Sequence, residues 1–153
     1  MSARERLQFS IVIAAPAKRV YEALIGPASF KEWTAPFMEG SYFEGSWQQG
    51  ARIRFLGPGG GVGMVAEIAE NRPHEFISIR HLGFVAKGVE DTESEAVCAW
   101  APAYENYTLL RVVEGTQLVV DMDAFGDMTD FMTETWPKAL ARLKALCEGE
   151  GGA

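Results

Sequence analysis

Cysteine and histidine are nearly missing from this chain. Its two cysteines, Cys98 and Cys147, form no C-x-x-C pair, and its two histidines, His74 and His81, form no H-E-x-x-H. A zinc knuckle and a disulfide framework are therefore excluded, and no metal is expected. Two unpaired thiols suit a reducing, cytoplasmic compartment. Long hydrophobic runs are also missing: no apolar stretch approaches the ~20 residues that span a bilayer, so no membrane insertion is expected. Arg4, Arg6 and the run from Phe9 to Ala15 imitate a secretory signal, but the run is short and Glu5, Gln8 and Ser10 interrupt the region, so it reads as a strand. Positive charge is the third scarcity. The 14 Lys and Arg stand against 21 Asp and Glu, a net charge of −7, which argues against nucleic acid or an anionic membrane as partner.

Catalytic and cofactor motifs fail one by one. Gly57-Pro58-Gly59-Gly60-Gly61-Val62-Gly63 contains no G-x-G-x-x-G register and no following Lys-Ser or Lys-Thr, so it reads as a flexible hairpin loop rather than a phosphate cradle. Asp121-x-Asp123-x-Phe125-Gly126 starts like a calcium loop, yet Phe125 replaces the third ligand and Met132 stands where the bidentate Glu belongs. No G-x-S-x-G elbow is present. Asn106-Tyr107-Thr108 fits a glycosylation acceptor only by its letters, since it falls inside a predicted strand. The acidic run Glu90, Asp91, Glu93, Glu95 reads as a solvated loop and helix start. No catalytic residues and no cofactor are assigned.

What the chain does have is period. Leu7, Phe9, Ile11 and Ile13 alternate with Gln8, Ser10 and Val12, a half-buried strand. Ala15-Pro16 opens a helix with Val20, Tyr21, Leu24 and Ile25 on its apolar face; Gly26-Pro27 stops it, and a second short helix runs over residues 28–33. Short strands follow at 41–44, 51–55, 63–69 and 76–83, an antiparallel meander in which Ile53 and Phe55 alternate with Arg52 and Arg54. Thr92 and Glu95 match a capping box for a short helix reaching Trp100. Strands at 104–113 and 116–122 turn at Glu114-Gly115. Last comes a helix of roughly 33 Å from Asp127 to Glu148, with Asp127 as N-cap and Met128, Phe131, Met132, Thr135, Trp136, Ala139, Leu140, Leu143 and Leu146 as one wide stripe. Pro137 inside it predicts a kink, and residues 149–153 a fraying tail. At 153 residues this is one α+β domain over 1–153.

The succession Phe9-x-Ile11-x-Ile13-x-Ala15-Pro16, Val20-Tyr21-x-Ala23-Leu24, Trp33-Thr34, Gly40-Ser41-Tyr42, Glu44-Gly45-x-Trp47-x-x-Gly50 and Trp136-Pro137-x-Ala139-Leu140-x-x-Leu143-Lys144 resembles the Hsp90-ATPase-activator-homologue-like members of the START-like (SRPBCC, Bet v 1-like) superfamily. The segments Ala66 to Pro73, Ile79 to Gly83 and Tyr104 to Thr108 are similar to a bacterial subgroup. The resemblance covers about Leu7 to Leu146. It implies a helix-grip fold: a curved antiparallel sheet wrapped around the long C-terminal helix, with two short helices after strand 1 and a cavity between sheet and helix. Family members bind lipids, polyketides or other hydrophobic molecules, some are cyclases, and a eukaryotic branch stimulates the Hsp90 ATPase. It carries over no catalytic residues.

A small apolar molecule is thus the expected partner, with Trp33, Tyr42, Phe55, Met64, His81, Trp100, Tyr107, Phe131, Met132 and Thr135 as the candidate ligand-binding residues. Two other classes stay open: an enzyme acting on a ligand in that cavity with His81 as acid or base, and a chaperone or stress-response partner. A homodimer is compatible with the sequence. The segment from Val85 to Pro102 is too long for a plain hairpin; it is expected either as a lid with Trp100 plugging the cavity mouth near Tyr104, or as a static cover for the sheet edge.

Overall fold

The structure, a computed structural model, describes residues 4–126 and 128–149. It opens with β1 (Arg4–Ile13), in which Leu7, Phe9, Ile11 and Ile13 turn toward the core while Gln8, Ser10 and Val12 lie exposed. Next come α1 (Ala17–Ile25) and α2 (Pro27–Thr34). Pro27 takes the first position of α2, where a helix would leave an N–H unpaired in any case. The meander is β2 (Tyr42–Gly45), β3 (Arg52–Leu56), β4 (Val62–Arg72), β5 (Phe76–Ala86) and a short β6 (Val89–Asp91). After the single turn α3 (Glu95–Cys98) follow β7 (Ala103–Val112), β8 (Gly115–Phe125) and the long α4 (Met128–Glu148).

All pairings are antiparallel, in the order β1-β8-β7-β5-β4-β3-β2, with β6 joined to β5. Strands β1 and β2 lie at opposite edges, so α1 and α2 carry the chain across the sheet. Register keeps one face apolar: Ile11, Phe9 and Leu7 of β1 face Leu118, Val120 and Met122 of β8, which in turn face Leu109, Tyr107 and Glu105 of β7. A slip of one residue would send the whole row to solvent. Against that face α4 packs Trp136, Ala139, Leu140, Leu143 and Cys147, all buried, in one cluster with Ile13, Val20 and Leu24.

The helix is buried along only part of its predicted stripe. The proposed cap Asp127, like residues 150–153 of the predicted tail, lies outside the described residues. The apolar stripe is dry only from Thr135 to Leu143: Met128, Met132 and Leu146 are half-buried and Phe131 is exposed. Pro137 sits on the exposed side, and the helix continues past it. No basic residue occupies the last turn. Its open carbonyls are met from α1 instead, Arg19 donating from Nε to Cys147 O at 2.9 Å and from Nη2 to Leu146 O at 2.9 Å. Glu148 accepts from the Ala14 amide at 2.7 Å and from Lys144 Nζ at 2.6 Å, which pulls its carboxyl below the usual range.

The segment between β5 and β7 is a sheet-edge cover. β7 pairs with β5 only from Phe76 to His81, and β6 takes over that edge from Phe84 to Ala86. The two strands come so close that a Cβ at Gly83 would lie 2.0 Å from Asp91 O. The cap of α3 is Ser94, whose Oγ accepts from the Val97 amide at 3.3 Å, rather than Thr92. Asp91 displaced the expected box, because its Oδ1 accepts from the amides of Glu93 and Ser94 at 3.1 and 3.0 Å and forms its own turn. The acidic run is likewise more than solvated loop: Glu90 pairs with Arg54 at 2.8 Å and Arg52 at 3.5 Å.

Two variants test how α4 is held. Leu143 is fully buried, so Leu143→Ala is expected to lower the unfolding free energy by about 2–5 kcal/mol in urea denaturation. Arg19→Ala should cost about 1–3 kcal/mol, the range for a lost charge-assisted bond to part-buried carbonyls. A change in Arg19→Ala of only a few tenths would show that solvent caps that end equally well.

Candidate ligand cavity

Sheet and helix close on each other along the second half of α4 and part along its first half. The residues there surround a cavity of about 270 Å³. Its walls are Phe30, Trp33 and Thr34 of α2, Phe37 and Met38 just after it, Tyr42, Phe55 and Met64 of the meander, and Phe131, Met132 and Trp136 of α4. The floor is the middle of the sheet: Ile79, His81, Glu105, Tyr107 and Met122. Met38, Val62 and Phe131, the lining residues most open to solvent, rim the mouth.

Ring packing keeps the space open. Phe30 meets Phe43 edge-on at 5.2 Å and Phe55 stacked at 5.9 Å, and Trp47 lies 5.6 Å from Phe55. On the opposite wall Trp136 takes Phe37 at 4.9 Å and Trp33 at 6.0 Å. Such offset and edge arrangements hold rings against one another without filling the space between walls.

One polar cluster interrupts this surface. Register places Ile79, Glu105 and Met122 side by side on the inner face, so a carboxylate stands among apolar neighbours. It is kept there by two donors: His81 Nε2 at 3.0 Å from Oε1, and the Tyr107 hydroxyl on Oε2. The proton on His81 is assigned to Nε2 because its partner only accepts. His81 Nδ1 is buried without a partner among the described residues, as is Trp47 Nε1. Burial, the Glu105 charge and the hydrogen bond to Glu105 together push the Tyr107 phenol well above its ordinary value.

Eight of the ten candidate residues meet at this cavity: Trp33, Tyr42, Phe55, Met64, His81, Tyr107, Phe131 and Met132. Two do not. Thr135 is buried in packed protein, because the apolar stripe of α4 is wider than the cavity it borders. Trp100 lies outside it too, its ring 4.8 Å from Phe84 and 6.3 Å from Phe125. No residue from 85 to 102 lines the cavity, so Trp100 is not the plug expected there; in this structure the segment covers the sheet edge through the pairing of β6 with β5. Reading by residue type missed Glu105, Phe30, Phe37 and Trp136. Alternation offered a signal for Glu105, which is in phase with Tyr107 and Leu109 rather than with Asn106.

An antiparallel sheet gripping one long helix over an internal cavity defines the helix-grip class. The profile of the family described as "Activator of Hsp90 ATPase homolog 1-like protein" matches residues 14–148. The chain belongs to that family. Solved structures share the fold at low identity. A protein from Chromobacterium violaceum is 21% identical with a TM-score of 0.67, over 95% of this chain and 99% of that one. The Aha1 dimer from Colwellia psychrerythraea is 20% identical with a TM-score of 0.69, over 95% and 97%. DynU16, a putative protein in the dynemicin biosynthetic locus, is 21% identical with a TM-score of 0.63, over 95% of this chain but 47% of that one. No curated protein matches.

The Tyr107 phenol sets a pH dependence. Above pH 10.0, its ordinary pKa, the unfolded chain sheds the proton while the folded protein keeps it. The unfolded state then binds fewer protons, so stability falls as pH rises further. Denaturant titrations from neutral to alkaline pH should show that decline on top of the one from the Cys147 thiol, which burial pushes up from 9.0 to about 11, and Tyr107→Phe should lessen the loss above pH 10.0 while costing about 1–3 kcal/mol at neutral pH. An equal alkaline loss in the variant would exclude Tyr107 as a source.

Proposed function

We propose that this protein binds a small, mainly apolar molecule in the cavity between its sheet and α4. The observation that carries the reading is the wall itself: an open space bordered by Phe30, Trp33, Phe55, Met64, Met132 and Trp136, with the linked polar groups His81, Glu105 and Tyr107 together on the floor. Sites of this make-up take their affinity from apolar burial and their orientation from one or two polar contacts. Lipid- or polyketide-like molecules fit that description, and the family to which the chain belongs supports it at the level of fold alone. Native mass spectrometry of protein purified from its own host should reveal a copurified ligand. A matching panel compound at one hundred times its Kd should raise stability by about 2.7 kcal/mol, read as a thermal shift. Met132→Trp, at a half-buried wall position, should reduce that shift by at least roughly ten-fold in affinity while the fold persists. No bound species and no shift across lipids and polyketides would defeat the reading.

One arrangement favours a second reading, an enzyme acting on the bound molecule. His81 is held by Glu105 at 3.0 Å inside the cavity, and an imidazole oriented by a carboxylate is a competent general acid or base. Under this reading His81→Ala abolishes turnover of an identified substrate and leaves its binding intact. Full activity in the variant would make His81 structural.

A further inference from the structure

The floor of the cavity has a charge sign. Among the described residues none that lines it is a lysine or an arginine, and the only acidic one is Glu105. With His81 neutral the cavity holds one uncompensated negative charge; with His81 protonated the pair cancels. In neither state is there a positive charge left over for a ligand's own carboxylate. The Glu105 carboxylate is not exhausted by its partners, since His81 engages one oxygen and Tyr107 the other, while a carboxylate offers about four acceptor positions. The same cavity is lined by the rings of Trp33, Phe55 and Trp136, which pack against the two partners of Glu105, Tyr107 and His81, and whose quadrupoles attract cations. A carboxylate entering this space would meet a like charge in poorly solvated surroundings, where such repulsion is strongest.

We propose that the cavity selects apolar molecules carrying a protonated amine, seated on the Glu105 carboxylate, over molecules of the same skeleton ending in a carboxylate, with a hydroxyl head ranking between them. This rests on the reading of the cavity as a ligand site. It turns a general apolar pocket into one that discriminates by head group, and it separates amphiphilic amines and alcohols from fatty acids.

Octylamine, octanol and octanoate share one chain and differ only at the head. Their binding to the intact protein is read by tryptophan fluorescence, since Trp33 and Trp136 line the cavity. Raised ionic strength screens the general attraction of an acidic protein for any amine. The expected order is octylamine, octanol, octanoate, with the amine at least roughly ten-fold tighter than the acid, the scale of one charge-assisted hydrogen bond. In Glu105→Gln the amine should fall to the affinity of octanol while octanol stays within about three-fold. Octanoate binding as tightly as octylamine, or an amine preference that survives Glu105→Gln, overturns the proposal and leaves the cavity as a ligand site intact. The wild-type ranking decides alone if the variant does not fold. If none of the three binds, the ligand-site reading fails and this proposal with it.

Discussion

Trp136 is the side chain on which sheet, helices and cavity all depend. Its ring meets Phe9 of β1, Trp33 of α2, Phe37 beyond α2 and Tyr107 of β7, at centroid distances from 4.9 to 6.1 Å. Its Nε1 donates to Met122 Sδ at 3.0 Å, so the polar edge of the ring is not left bare. One residue thus touches every layer. On the C-terminal side of this point α4 is sealed against the sheet by Ala139, Leu140 and Leu143. On the N-terminal side the helix stands off. The ring is therefore both the end of the dry core and the inner wall of the open space, and its size sets where one becomes the other.

The floor cluster shows a conflict between stability and site chemistry resolved by local pairing. A carboxylate between Ile79 and Met122 would be costly alone, and the phenol and imidazole that face it supply donors without supplying surplus charge. Apolar residues at Glu105, His81 and Tyr107 would make a simpler core. That three polar residues share one inner patch of sheet is the feature least explained by folding.

Most of the architecture was legible in the sequence, because period is a direct image of burial. The alternation in β1 and β8 and the stripe of α4 name their own buried faces, and proline and glycine mark the ends of α1 and α2. Seven of the eight strands were visible in this way. The eighth, β6, has three residues and no apolar alternation; it exists because β7 leaves an edge of β5 free, which is a fact about pairing and not about any local stretch. The α3 cap was misplaced for a similar reason, since Thr92 and Ser94 are both acceptable caps and Asp91 decided between them. At the candidate cavity, residue type led to the aromatic and sulfur-containing walls. It failed for Trp100, whose neighbours are Phe84 and Phe125 across the sheet end, and for Glu105, a charged residue that type alone assigns to the surface.

The short pairing of β6 with β5 bears on how the protein behaves in a crowded solution. From Leu82 to Ala86, β5 would otherwise present unpaired amides and carbonyls beside Phe84 and Val85, a template on which another chain's strand could add. Three residues of β6 occupy that template, and the charges of Glu90 and Asp91 border it. The segment that looked like a gate for small molecules covers the part of the β5 edge on which another strand could pair.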